Sequence, residues 1–313
     1  MLDLLSLNKK IIINSDIDGI LSGLILHNFL DCDVVGFSNS DNTVWIDQSK
    51  VNSIYDAVYI DMFVPNPNLK CIDQHIISIN SNHHNSICNN PNKFNPNFDN
   101  PRFLYPNDSY YLKYPFGTVH YIIAYLEKQG IRIDLDFFHK VDGLNFIDIL
   151  LRSDDAMKTT VDSNYKANAR DWWIWLHTFS NNSNSITTLG KYLYSLNPSQ
   201  VFQIKNDTTK ILTSSNFGCT KPDGGYHSII DSNGLLKDQV TTYFQWLAKA
   251  SKLNCFNTQL NLTPFIGTVN RTSLNETQKN ELIYENKING KDIFSYAFVR
   301  SSNRSENFSY TIM

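Results

Sequence analysis

Strong charge of one sign, long apolar runs and paired cysteines are all missing from this chain, and each shortage removes a class of function. Across 313 residues the formal net charge is -3 and the pI about 6.2, so no global basic field announces nucleic-acid binding. A local groove, or a substrate held through metal ions rather than lysines, stays compatible with that balance. No uninterrupted apolar stretch approaches the roughly 20 residues of a membrane-spanning helix. The opening MLDLLSLNKK carries an early acid, runs straight into a strand and does not resemble a signal peptide. Neither feature predicts a membrane partner. The five cysteines, Cys32, Cys71, Cys88, Cys219 and Cys255, lack CxxC spacing. That excludes a zinc ribbon or a disulfide framework and points to a reducing, cytoplasmic compartment.

Hydrophobic residues make up 42% of the chain and charged residues 18%, which is ample for a globular core. The length favours two domains. The informative stretch is 11 to 22, IIINSDIDGILS. Its isoleucines suit a central strand with both faces covered. Asp16 and Asp18 follow just past the strand's carboxyl end, where open α/β sheets collect ligands. Gly19 permits a tight turn, and LSGLILHNFL continues with helical apolar spacing. Two carboxylates this close repel unless a cation lies between them, and a hard divalent ion is the natural candidate. The competing reading makes one of them the N-cap of the helix.

Further along, CDVVGF (32 to 37) and TVWID (43 to 47) read as strands, AVYI as a strand ending at Asp61, and LKCI as one ending at Asp73, Gln74 and His75. Acids recur at the same edge of an alternating α/β pattern. Residues 80 to 108, rich in Asn and Pro, predict a long loop, with His83 and His84 as exposed loop residues in preference to metal ligands. PFGTVHYIIAYLEKQG predicts a helix closed by Gly130. FIDILL is a helix or buried segment leading to Arg152, Asp154 and Asp155, which are either a further ligand pair or the acids of a helix start. Trp172, Trp173 and Trp175 read as interdomain packing. The polar stretch 181 to 188 predicts a boundary, giving domains at 1–180 and 190–313. In the second, DQVTTYFQWLAKASKL predicts a helix, and strands are expected around 211 to 230, 263 to 269, DIFSYAFVR and NFSYTIM. KPDGGYHS reads as a plain turn in preference to a phosphate contact through Lys221 and His227.

Carboxylates and an imidazole around two divalent ions are a standard arrangement for hydrolysing a phosphoester. In that arrangement Asp61 can bridge both ions and a histidine can donate to the phosphate. NSDIDG, VYIDM, IDQH and the acid near 154, in that order, resemble the four motifs of the DHH phosphoesterase superfamily. The resemblance covers residues 10 to 160 and rests on the ordered set. It implies an α/β fold, with a mostly parallel sheet flanked by helices and a smaller mixed α/β C-terminal domain. It implies Mn2+, one or two ions, with Mg2+ as a substitute. Asp16, Asp18, Asp61 and Asp154 would be metal ligands, with Asp155 the alternative to Asp154, and His75 a catalytic phosphate contact. Gln74 stands where the family has the first histidine of Asp-His-His, as an amide ligand. Asn14, Arg152 and His227 join His75 as candidate substrate contacts. Gly224, Gly225 and His227 are similar in type to the family's glycine-rich GGGH motif but occupy a different place in the chain. The implied activity is a metal-dependent phosphodiesterase acting on a nucleotide or short single-stranded nucleic acid. Gln74 and Asn14 motivate the alternative of a nucleotide, nucleic-acid or protein binder without turnover.

Overall fold

The computed structural model describes residues 1–99, 110–299 and 307–313. After a short helix α1 (Leu2–Leu7), the three isoleucines form strand β1 (Lys10–Asn14) and helix α2 (Ile17–Leu30) follows. Next come β2 (Asp33–Ser38), β3 (Thr43–Asp47), β4 (Val58–Ile60), β5 (Lys70–Ile72), helix α3 (Ser81–Cys88), β6 (Lys93–Phe94) and the one-turn α4 (Pro96–Asp99). Helix α5 (Thr118–Lys128), the hairpin β7 (Lys140–Val141) and β8 (Leu144–Asn145), and α6 (Phe146–Leu150) lead into four longer helices. These are α7 (Lys166–Phe179), α8 (Asn184–Ser195), α9 (Pro198–Leu212) and α10 (Asp238–Ser251). The chain ends in β9 (Leu262–Ile266), β10 (Thr268–Thr272), α11 (Glu276–Glu285), the ribbon β11 (Lys287–Ile288) and β12 (Lys291–Asp292), β13 (Ser295–Phe298) and β14 (Phe308–Ile312).

The main sheet has the order β6-β5-β4-β1-β2-β3-β9. Its first five strands are parallel, and β3 and β9 add antiparallel edges. The expected α/β class and mostly parallel, helix-flanked sheet are present. Period-two alternation divides each strand between two cores. Ile11, Ile13, Val58, Ile60 and Trp45 enter one core with the apolar sides of α2, α5 and α10. Ile12, Tyr59, Val44 and Ile46 enter the other, which the C-terminal segment covers through Leu282, Ile293, Tyr296, Phe298 and Phe308. β10, β14 and β13 form a three-stranded antiparallel sheet over that second face. Helices on both sides of the polar stretch 181–188 share the first core, through Trp172 before it and Leu189, Val201 and Leu247 after it. Among the described residues no helix is long and apolar enough to cross a membrane.

Three local expectations are corrected. Part of the Asn-rich stretch is α3, because Asn80 caps it by accepting from the His83 amide at 2.9 Å. Residues 100–108 of that stretch lie outside the described residues, as does Arg300 of the expected strand 292–300. His83 and His84 are buried: His83 Nδ1 accepts from the Ile79 amide at 3.2 Å, and His84 Nδ1 meets Ser78 Oγ at 3.1 Å. Burial lowers both imidazoles, His83 to about 4, so they hold the loop as neutral rings. Residues 211 to 230 form no strand. Helix α9 runs to Leu212, and Gly218, Pro222, Gly224 and Gly225 then keep the backbone in turns, ending in a single bridge from Ile230 to Leu236.

Candidate functional site

β1 is the switch point of the sheet, with β2 on one side and β4 on the other, so a crevice opens at its carboxyl end. Asp16 sits there as the N-cap of α2, with Oδ1 accepting from the Gly19 amide at 3.0 Å. Gly19 is obligatory, since a Cβ would stand 2.2 Å from the Asn14 carbonyl oxygen. Asn14 Nδ2 donates to Asp16 Oδ2 at 2.8 Å and to Asp61 Oδ2 at 3.1 Å. A neutral donor therefore stands between two carboxylates, where a third acid would add repulsion.

Asp18 reaches the first turn of α5. Its Oδ2 accepts from the Thr118 amide at 2.8 Å and its Oδ1 from the Val119 amide at 2.9 Å. It thus serves as the remote anionic cap of a helix a hundred residues away. Asp61, 2% exposed, ends β4 in the left-handed region with φ 62, and its Oδ1 accepts from Thr118 Oγ1 at 2.8 Å. At the end of β5, Asp73 Oδ1 meets His75 Nδ1 at 2.6 Å, while Oδ2 accepts from the His75 amide at 3.0 Å. Asp61, Asp73 and His75 each bring one donor atom to within 4.8 Å of the others.

The remaining expected residues are spread around this trio. Gln74 is buried, and its Oε1 has no hydrogen-bond partner among the described residues. Asp154, with φ 46, is bound by Lys113 Nζ at 2.8 Å. Asp155 is committed elsewhere, to Tyr165 Oη at 2.6 Å and to Lys158. Arg152 Nη2 donates to the Pro222 carbonyl at 2.8 Å, fastening the 221–228 loop. That loop is a turn closed by Gly224 N donating to Lys221 O, and Lys221 is paired with Asp41 at 2.8 Å. His227 is exposed, with its amide on Thr220 Oγ1. The structure therefore brings Asn14, Asp16, Asp61, Asp73 and His75 together, with Asp18 joined through α5, and leaves His227 on the flanking loop that Arg152 fastens.

Burial and mutual repulsion dominate the electrostatics. Burial first, then the Asp16 carboxylate, lifts Asp18 to about 7. Burial followed by neighbouring carboxylates also raises Asp16 and Asp61 well above the ordinary range. Burial alone would depress His75, whose side chain is 32% exposed, but Asp73, Asp61 and Asp154 outweigh it and raise the imidazole to about 10. A cluster in which carboxylates resist ionising is one that a divalent cation would stabilise. The donors suit such an ion: two carboxylates and an imidazole of the kind manganese accepts, with the unpartnered Gln74 oxygen between Asp73 and His75 in sequence.

Asp61 and His75 line a cavity of about 130 Å3 whose far wall is the three-stranded sheet. Register places Arg271 opposite Ser309 and Ser309 opposite Ala297, with Thr311 opposite Ser295 in the next row, and all five line it. The strap between the walls is short: the Phe298 amide donates to Ile76 O at 2.9 Å, one residue after His75. Sequence reading missed Thr118, Lys113 and Arg271. Thr118 carried a signal as the first residue of a readable helix, whereas nothing local marks the other two. No protein-family model, no curated protein and no solved structure matches the chain.

Proposed function

We propose that the chain is a metal-dependent phosphodiesterase acting on a nucleotide or short single-stranded nucleic acid. The observation that carries this reading is the trio of buried Asp61 and Asp73 with half-buried His75, donor atoms within 4.8 Å, at the carboxyl ends of β4 and β5 beside the sheet's switch point, with Asp61 and His75 lining a cavity that Arg271 also lines. Asp61 and Asp73 supply anionic oxygens. With Nδ1 2.6 Å from Asp73 Oδ1, His75 would join the two carboxylates through that nitrogen, giving up its Nδ1 proton when an ion is bound. This gives His75 a ligand's role in place of the phosphate contact that the resemblance implies. Asn14 and Thr118 each donate to Asp61 and hold its carboxylate in one orientation.

Held by Asp61, Asp73 and His75, a divalent ion, Mn2+ or Mg2+, would supply charge neutralisation at the phosphoryl group and a water of lowered pKa. In the hydrolysis the oxygen of water bonds to phosphorus, the P–O ester bond breaks, and a proton ends on the departing alcohol. Arg271 forms no ion pair among the described residues. Its guanidinium is the group that would grip a phosphate across the cavity, in the bidentate way arginine favours.

Purified protein incubated with Mn2+ or Mg2+ and a panel of linear and cyclic dinucleotides and short single strands should release mononucleotides. Asp61→Ala should reduce the rate by at least a hundredfold, and Arg271→Ala should raise KM by about tenfold, the loss of one charged contact. Turnover that is absent across the panel, with the ion bound, would leave nucleotide binding without hydrolysis as the function.

A further inference from the structure

We infer that Lys113 is a built-in cation for the Asp154 end of the acidic cluster, so that the chain takes up one divalent ion, at Asp61, Asp73 and His75. The inference rests on the reading above that an ion is bound at all. It divides the cluster into an end balanced by the protein's own groups and an end that is not.

Lys113 is 3% exposed. Its ammonium lies 2.8 Å from Asp154 Oδ2 and 3.3 Å from Asp155 Oδ2, over the face of Tyr110 at 5.2 Å from the ring centroid. The backbone beneath is pinned as well: Asn168 Nδ2 donates to the Lys113 carbonyl at 3.0 Å, and the Lys113 amide donates to Tyr110 O at 3.3 Å. Because Asp155 also takes Lys158 and the Tyr165 hydroxyl, most of the Lys113 charge is left for Asp154. A buried ammonium this close to two carboxylates keeps its charge.

Asp18 is held by the two amides at the start of α5 and does not reach Lys113. Asp16 is satisfied by the Gly19 amide and Asn14. Asp73 is paired with the His75 imidazole, whereas Asp61 receives only the neutral donors Asn14 and Thr118, and a doubly charged ion beside Asp61 would meet that deficit. A second ion beside Asp154 would have to expel or tolerate a buried ammonium, which its own charge repels.

Metal analysis of the full chain, dialysed against Mn2+ and then desalted, should give one manganese per chain. The electron paramagnetic resonance spectrum should show an isolated ion rather than a coupled pair. Lys113→Met should raise the count toward two and introduce the coupled signal, and Lys113→Arg should stay at one. Asp154→Asn should leave the count at one and the Mn2+ affinity within about threefold, which keeps the test decisive should the methionine variant fail to fold. Two ions in the unaltered protein, a Lys113→Met protein that still takes one, or loss of the ion in Asp154→Asn would each overturn the inference. No ion in the unaltered protein would instead overturn the proposed function.

Discussion

Asn14 shows how much one uncharged side chain decides at this site. Its amide donates to Asp16 and to Asp61 at once, and a carboxylate of the same shape would replace two attractive contacts by two repulsive ones. Asn14→Asp should destabilise the metal-free protein by about 1–3 kcal/mol, the range for leaving buried polar groups unmatched. Urea unfolding measures it, and saturating Mn2+ should recover part of the loss. The acids themselves were legible because each closely follows a short strand rich in apolar residues, a pattern that recurs at Asp16, Asp61 and Asp73. Lys113 was not: its partner Asp154 is 41 residues away, and YYLKY carries no local mark of a buried charge. Arg271 hid for the same reason, since only the pairing of β10 with β14 turns it toward the cavity.

The element that closes the site is α5, whose first turn is shared between two carboxylates. Thr118 gives its amide to Asp18 and its hydroxyl to Asp61, so the helix start fixes the spacing of the acids that follow β1 and β4. Gly117 makes this approach feasible. A Cβ there would lie 2.6 Å from both Asp18 oxygens and 2.7 Å from Ser153 Cβ. Gly117→Ala should therefore push α5 off Asp18 and destabilise by about 1–3 kcal/mol, as overpacking does, even though its backbone φ of -73 suits alanine. A thermal unfolding curve reads the loss. If the variant unfolds with the unaltered protein, Asp18 does not hold the helix. Helix α5 was readable from its apolar spacing, but its docking onto Asp18 was not, because a glycine before a helix looks like an ordinary start. Helix α3 was hidden by composition: its eight residues carry little apolar periodicity, and one well-placed asparagine cap outweighed the turn-forming neighbours.

At the scale of the whole molecule, a buried sheet with one core of helices and another under the C-terminal strands concentrates charge where the strands end, and that links stability to pH. Asp18 ionises near 3.8 when unfolded and about 7 when folded, so ionisation opposes folding and stability falls as pH climbs from about 4 to 7. His75 works in the same direction over a higher window. With its folded pKa raised to about 10 from 6.5, its contribution is complete below 6.5 and is lost as pH rises through 10. Below pH 6.5 the buried neutral His83 and His84 act in the opposite direction, so metal-free protein should melt at progressively lower temperature from about pH 7 to pH 9. A divalent ion should reverse the trend, because binding requires the carboxylates ionised and His75 neutral and so tightens with rising pH. At a hundred times its dissociation constant the ion adds about 2.7 kcal/mol, a gain that should be largest near pH 8 to 9 and fade toward pH 5. Thermal unfolding with and without Mn2+ across that range checks both slopes, and a metal-free protein that grows more stable toward pH 9 would remove the charge frustration on which the proposed function depends.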